Sequence, residues 1–253
     1  MRRVVFNQKG GVGKSSITAN LAAISASKGN KTLLIDLDPQ CNSSHYLLGD
    51  GVNEIDKDVM DFFTHVLEFR MNGTDFNNYI SDTPHPNLYL VASNPQLGDL
   101  HAKLEAKHKI YKLSEALADL DQYDAVYIDT PPAFNFYTLS ALVAAQKCLI
   151  PFDCDEFSRQ ALYALLENVQ EVQEDHNRDL QVEGIVVNQF QPRASLPRRI
   201  VESLREDKLP VIDAFISSSI KMKESHNECL PLIYYAPKHK LTQEFLALYD
   251  HLE

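Results

Sequence analysis

The sequence predicts an α/β protein: a doubly wound, mostly parallel sheet with helices on both faces. Three observations point there. Short runs of Val, Ile, Leu and Phe alternate with helix-length segments along the chain, the pattern of strand–helix–strand units. The first apolar run, Val4–Val5–Phe6, passes into a glycine-rich turn, Asn7-Gln8-Lys9-Gly10-Gly11-Val12-Gly13-Lys14-Ser15-Ser16, and then into a helix. No internal repeat, low-complexity tract or linker divides the 253 residues, so one domain over residues 1–253 is expected.

In chain order, Ile17, Ala19, Leu21, Ala22 and Ile24 pattern the first helix. Lys31–Asp38 (KTLLIDLD) reads as a second buried strand ending in two acidic residues, and Pro39–Ser44 as a loop and helix start. From Gly49 to Pro86 the signal weakens: Val59–Phe69 has helical spacing, and Gly73–Pro86 is rich in turn formers. Asn87–Ala92 is a short strand. Pro95 suits a first helical turn, and helices follow over Leu97–Lys107 and Lys112–Leu120. Tyr123–Ile128 is a strand closed by Asp129-Thr130-Pro131-Pro132. Then come a helix over Tyr137–Ala145, a strand over Cys148–Phe152 and an amphipathic helix over Ser158–Glu174. The strand Val182–Val187, the helix Leu196–Glu206, the strand Val211–Ile216 and the helix Leu241–Leu252 complete the expectation.

Composition narrows the function classes. With 44% hydrophobic residues the chain can bury a full core. No apolar run approaches the ~20 residues of a membrane span, and Met-Arg-Arg leads directly into a strand, so no signal sequence is expected. Cys41, Cys148, Cys154 and Cys229 are widely spaced and lack a C-x-x-C pair, which argues for reduced thiols rather than zinc or disulfides. The formal net charge of −11 speaks against a generally basic nucleic-acid coat, though a local patch stays open.

The glycine-rich turn carries the chemistry. Glycines let backbone N–H groups approach an anion closely, and the helix N-terminus adds a positive dipole end. Lys14 would reach the terminal phosphates of a nucleotide, and the Ser15 hydroxyl would sit on Mg²⁺. The ordinary loop wants glycine five residues before Gly13; Gln8 stands there, and Lys9 follows it. Asp129, closing an apolar strand, stands where such proteins hold Mg²⁺ through water. Asp38, at the end of the second strand, could orient an attacking water or bind the water shell of the metal; a capping role before Pro39 is the plainer reading of Asp36 and Asp38.

These residues carry a resemblance. Lys9-Gly10-Gly11-Val12-Gly13-Lys14-Ser15 resembles the deviant Walker A loop with its signature lysine. Ile35-Asp36-Leu37-Asp38-Pro39-Gln40 is similar to the second-strand motif of the ParA partition ATPases, and Ile128-Asp129-Thr130-Pro131-Pro132 to their Walker B and switch segment. The chain resembles the short ParA proteins without an N-terminal helix-turn-helix domain. The resemblance implies ATP and Mg²⁺ as cofactors. Gly10 to Ser16 would cradle the nucleotide, with Lys14 on phosphates in cis, Ser15 on Mg²⁺ and Ser16 near the α-phosphate. Lys9 would cross the interface of an ATP-bound homodimer to the phosphates of the partner subunit. Asp38 would position the lytic water, Asp129 the Mg²⁺ shell, and Asn188 would hydrogen-bond adenine; a strand-end turn is the plainer reading of Asn188.

Residues 191–223 hold seven basic against four acidic residues, a net +3 that leaves −14 elsewhere. Similar ParA proteins bind DNA without sequence preference in this region, as dimers, so Arg193, Arg198, Arg199, Lys221 and Lys223 are the candidate DNA contacts, against a simple solvated face. Two departures stand out. Ser15-Ser16 replaces the common Thr-Thr, and Ile216-Ser217-Ser218-Ser219-Ile220-Lys221 replaces Ile-Pro-Arg-Asn-Val-Arg, losing a proline and an arginine. The implied activity is a dimerising ATPase switch, cytoplasmic and nucleoid-associated, that positions a chromosome, plasmid or protein cluster. Its turnover would be slow until a ParB-like or cargo-adaptor protein stimulates it. The rivals are a membrane-cycling MinD type and a small-molecule kinase or ligase. The first needs a basic amphipathic C-terminal helix, and Leu241–Glu253 contains no Lys or Arg, so no membrane partner is expected. The nitrogenase iron protein would want a cysteine just beyond the Walker B strand, where Thr130-Pro131-Pro132 stands.

Overall fold

A computed structural model describes residues 1–68, 75–191 and 194–253. Among the described residues, seven strands form one sheet in the order β3-β4-β2-β5-β1-β6-β7. They are β1 (Arg2–Val5), β2 (Thr32–Asp36), β3 (Ser81–Asp82), β4 (Leu88–Val91), β5 (Ala125–Asp129), β6 (Lys147–Asp153) and β7 (Gln181–Asn188). Every pairing is parallel except β3 with β4 at one edge. Side-chain alternation along a strand sends neighbours to opposite faces, and both faces are apolar. Val4, Leu33, Ile35, Val126, Ile128, Cys148 and Ile150 pack into one layer, while Val5, Leu34, Tyr127, Leu149 and Val186 pack into the other.

Helices cover both faces. The second layer is closed by α1 (Lys14–Ser27), α2 (Asn42–Leu48), α10 (Leu232–Tyr235) and α11 (Lys240–Leu252), through residues such as Ile17, Leu21, Tyr46, Leu232, Phe245 and Leu248. The first layer takes α3 (Val59–Leu67), α4 (His101–Ala106), α5 (Lys112–Ala118), α6 (Phe136–Ala144), α7 (Glu156–Asp175) and α8 (Ser195–Glu206). Helix α9 (Ile220–Asn227) lies beside α10 on the side of α1. Because α11 turns Phe245 and Leu248 into the core, its apolar face is already spent on packing. No helix among the described residues is long and apolar enough to cross a membrane.

The sheet departs from expectation at its two edges. Val211–Ile216 does not form a strand; Val211 makes an isolated bridge to Ile185 of β7, and Ser217, just after it, bridges Phe190 beyond the end of β7. The Ile185 N–H donates to the Pro210 carbonyl, Ile212 to Ile185 and Ile216 to Val187, but no backbone bond among the described residues joins residues 213–215 to β7, so the ladder is interrupted there. Gly184 lets that segment lie close, since a Cβ would sit 2.5 Å from Ile212. At the other edge the two-residue β3 falls within the turn-rich stretch and was not anticipated. Neither were α9 and α10. The expected helix Val59–Phe69 ends at Leu67 in the structure, with Phe69 outside the described residues.

Candidate functional site

The C-terminal ends of five parallel strands converge on one edge, where an open α/β sheet binds its ligands. Strand register does the placing: Val5 pairs with Asp129, Asp36 with Asp129, and Asp153 with Asn188. The phosphate-loop turn leaves β1 between these neighbours. Gly11 and Gly13 take φ of +76° and +89°, a region that favours glycine, and the turn enters α1 at Lys14. A pocket of about 340 Å³ opens there, lined by Gly10 to Ser16 except Val12, and by Asp38, Gln40, Asn42, Pro132 and His226.

Lys14 is buried, and its ammonium donates to the Lys9 carbonyl at 3.1 Å. Burial lowers its pKa, while Asp129 and Asp38 pull it back up. The Asp38 carboxylate accepts from the Gln40 N–H at 3.0 Å, and burial raises its pKa. Asp36 lies deeper. It accepts from the Asp38 N–H and from both the N–H and the hydroxyl of Ser44. Burial first, then the charge of Asp129, push Asp36 far above the usual carboxylate range. Asp129 is raised as well, chiefly by burial, and the hydroxyls of Ser15 and Ser43 oppose that shift.

One oxygen of Asp129 accepts from Ser43 at 2.7 Å; the other, Oδ1, is buried with no hydrogen-bond partner among the described residues. An orphaned carboxylate oxygen next to a serine hydroxyl is a costly arrangement unless a cation completes it. The donor set is all oxygen, which suits a hard divalent ion such as Mg²⁺, so the residues present fit that group.

A second pocket of about 190 Å³ adjoins the first and shares Gly11, Gly13 and Ser16 with it. Asn188, Gln189, Ser217, Ser218, Ser219, Met222 and Lys223 line the rest of it, with Ile216 and Phe245. Asn188 Nδ2 donates to the Val12 carbonyl at 2.8 Å, and a Cβ on Gly13 would come within 2.3 Å of that nitrogen. Asn188 therefore braces the loop, and its amide oxygen is the group an incoming donor would meet. The Ser217–Ser219 departure lines this pocket too, and the Ser219 side chain caps α9.

Lys9 does not face into the pocket formed by its own loop. Its ammonium pairs with Asp155 and lies 3.6 Å from Asp153, both beyond or at the end of β6. The acidic partners hold its pKa up.

The structure divides the basic candidates. Arg198 and Arg199 are exposed on α8, which packs on one face of the sheet through Ile200 and Leu204. Lys221 and Lys223 sit on α9, whose Met222 packs against the other layer. Lys221 is paired with Glu224 at 2.6 Å, and Lys223 lines the smaller pocket. Arg193 lies outside the described residues.

Sequence reasoning missed several side chains at this edge. Ser43 and Ser44 read only as a helix start, although two hydroxyls so soon after Asp36 and Asp38 were a usable signal. Asp153 and Asp155 fall just past the expected strand Cys148–Phe152 and drew no reading. Nothing local to the sequence brings His226 to Ser16, 210 residues away.

Fold and site together define a P-loop NTPase. Residues 3–182 match the family AAA_31, described as an AAA domain. The chain is 32% identical over 256 residues to the chromosome partitioning protein ParA of Myxococcus xanthus, covering 96% of this chain and 84% of that protein. It is 30% identical to the sporulation initiation inhibitor protein Soj of Bacillus subtilis, covering 96% of this chain and 94% of that protein. Cobyrinic acid a,c-diamide synthase from Mycobacterium smegmatis, solved with a bound ATP analog and magnesium, matches with a TM-score of 0.84. Its identity is 25%, covering 98% of this chain and 92% of that one. The chain belongs to the ParA/Soj family of partition ATPases.

Proposed function

We propose that this chain is an ATP-hydrolysing switch, a single ATPase unit over residues 1–253. ATP would close two copies into a dimer, the dimer would bind DNA without sequence preference, and a partner protein would trigger hydrolysis and release. The observation that carries the reading is the single edge where the phosphate loop, Asp38 and the orphaned Asp129 oxygen meet, with Lys9 turned away from its own pocket. Mg²⁺, when bound, would supply positive charge to the β- and γ-phosphates. Ser15 and Asp129 would hold it.

The loop amides and Lys14 bind and orient the phosphates. Asp38, raised by burial yet beside Lys14, is placed to accept a hydrogen bond from the attacking water. Asn188 keeps the loop in place while offering its oxygen to the base. Lys9 is held by Asp155 and Asp153 in the single chain, so reaching the phosphates of a second copy requires it to leave them. Arg198 and Arg199 present positive charge outward, which supports contact with a phosphate backbone and a nucleoid location.

A second reading, an ATP-dependent enzyme acting on a small acceptor, is favoured by the likeness to the diamide synthase. One experiment separates them. Purified protein with ATP, Mg²⁺ and no small acceptor should hydrolyse slowly. With a non-hydrolysable ATP analogue it should form dimers that bind random-sequence DNA in a salt-sensitive way. Lys9→Ala should spare nucleotide binding and lose dimers. Normal dimers without Lys9, or DNA binding indifferent to nucleotide, would overturn the switch. Turnover that stays silent until an acceptor is added would favour the second reading.

A further inference from the structure

The imidazole of His226 lines the larger pocket, with Nε2 3.0 Å from the Ser16 hydroxyl. The ring is stacked on Tyr46, with centroids 4.0 Å apart and planes 11° from parallel. Its orientation is therefore set by packing before any ligand arrives. Helix α9 is also fastened to α1 at a deeper level, without His226. Ser225 Oγ donates to the Leu230 carbonyl and lies 2.5 Å from the Tyr46 hydroxyl, which receives the amide of Asn20 at 3.2 Å. Asn20 in turn donates to the Ser16 carbonyl at 2.8 Å and accepts from the Leu232 N–H at 2.9 Å. The contact between His226 and Ser16 is thus additional to what holds the helix in place.

We propose that His226 is a positioning residue of the nucleotide site, aiming the Ser16 hydroxyl at a bound phosphate and tying that hydroxyl to helix α9. The proton inventory favours one direction. Burial lowers the pKa of His226, so the ring is neutral near pH 7 and carries a single N–H. If Nε2 accepted from Ser16, the serine proton would point away from the ligand. If Nε2–H donates to Ser16, the serine O–H is released to donate to an anion, and each bond polarises the next. An incoming di- or triphosphate selects the second arrangement, and the selection is felt on α9. That helix carries Lys221 and Lys223, and Lys223 borders the neighbouring pocket together with Asn188 and Gly13. Occupancy of the phosphate loop would thereby bias the position of two basic side chains on a helix the nucleotide need not otherwise touch.

The inference rests on the nucleotide reading of the site and not on DNA binding. Its test is a double-mutant cycle on Mg–ADP affinity, measured with a fluorescent ADP, together with amide exchange over residues 220–227. Ser16→Ala and His226→Ala should each weaken binding about fivefold to tenfold, the size of one net hydrogen bond. The double variant should be no weaker than either single one. His226→Gln, whose side-chain amide can donate to Ser16, should stay within about twofold of wild type. ADP should protect the amides of 220–227 in wild type and His226→Gln. In His226→Ala that protection should vanish while the phosphate loop remains protected. Additive losses, or unchanged affinity and protection in His226→Ala, would sink the proposal. Should His226→Ala not fold, Ser16→Ala and His226→Gln decide it: loss with the first and retention with the second support it, equal loss with both overturns it. Wild type that binds no nucleotide would overturn the site reading, and this inference with it.

Discussion

The nucleotide edge draws Lys14, Asp36, Asp38 and Asp129 into the interior, whereas the basic stretch after Asn188 keeps Arg198 and Arg199 in solvent. At the edge, charge is expensive and is met by named partners: Ser44 and the Asp38 amide on Asp36, Ser43 on Asp129, the Lys9 carbonyl on Lys14. Along the stretch, charge is cheap and loosely assigned. Some of it is already neutralised in place, as where Lys221 meets Glu224 and Arg205 meets Asp213. The difference teaches that position, more than residue type, sets how much a substitution matters. A buried group removed leaves a neighbour unsatisfied, while an exposed one leaves a solvated surface.

That contrast can be broken most directly at the loop. Lys14→Ala should lower hydrolysis by about a hundredfold to a thousandfold, the scale of a lost electrostatic contact to a transition state. Gly13→Ala should cost nearly as much, because its backbone φ is +89° and its Cβ would meet Asn188 at 2.3 Å. Steady-state ATPase assays with Mg²⁺ check both, and near-normal rates would show that the edge is less committed than its burial implies.

A smaller effect tests the outer surface. Reversing Arg198 and Arg199 to Glu should weaken ATP-dependent DNA binding about tenfold and flatten its dependence on salt. Lys221→Ala alone should change affinity by less than about twofold, since Glu224 already neutralises it. Binding titrations at several salt concentrations read both. A larger loss from Lys221 than from the α8 arginines would move the DNA surface to α9.

The smallest effect concerns pH. Asp36 and Asp129 have folded-state pKa values above those of an unfolded chain, chiefly through burial. The folded protein therefore holds these protons more tightly. Their contribution is complete below the unfolded value, near pH 4, and is lost as pH rises through the raised values. The ligand-free protein should lose stability between pH 5 and pH 8. Asp36→Asn should flatten that slope by at most about 1.4 kcal/mol per pH unit, the effect of one proton. Urea midpoints at the two ends of the range provide the measurement, and superimposable slopes would remove Asp36 from the account.

Much of the edge was legible because it is local. A glycine-rich turn between an apolar strand and a helix, and carboxylates at the ends of Ile35–Asp38 and Ile128–Asp129, declare themselves within a few residues. What failed was where local signal and tertiary fate part. Val211–Ile216 has the composition of a strand, yet its backbone bonds β7 near its two ends and not over residues 213–215. The basic stretch counted as one patch, but α8 and α9 carry it to different layers of the fold.

By itself, the sequence determined the α/β class, the phosphate loop and the family, and it named the candidate residues for phosphate and metal, because strand periodicity and loop chemistry are short-range properties. Only the tertiary structure decided that Asp36 and Asp129 become register partners, that Asn188 locks under Gly13, that Lys9 rests on Asp153 and Asp155, and that His226 reaches Ser16. Each of those contacts joins residues far apart in the chain. They are set by sheet register and by the packing of helices on two faces, which no local pattern encodes.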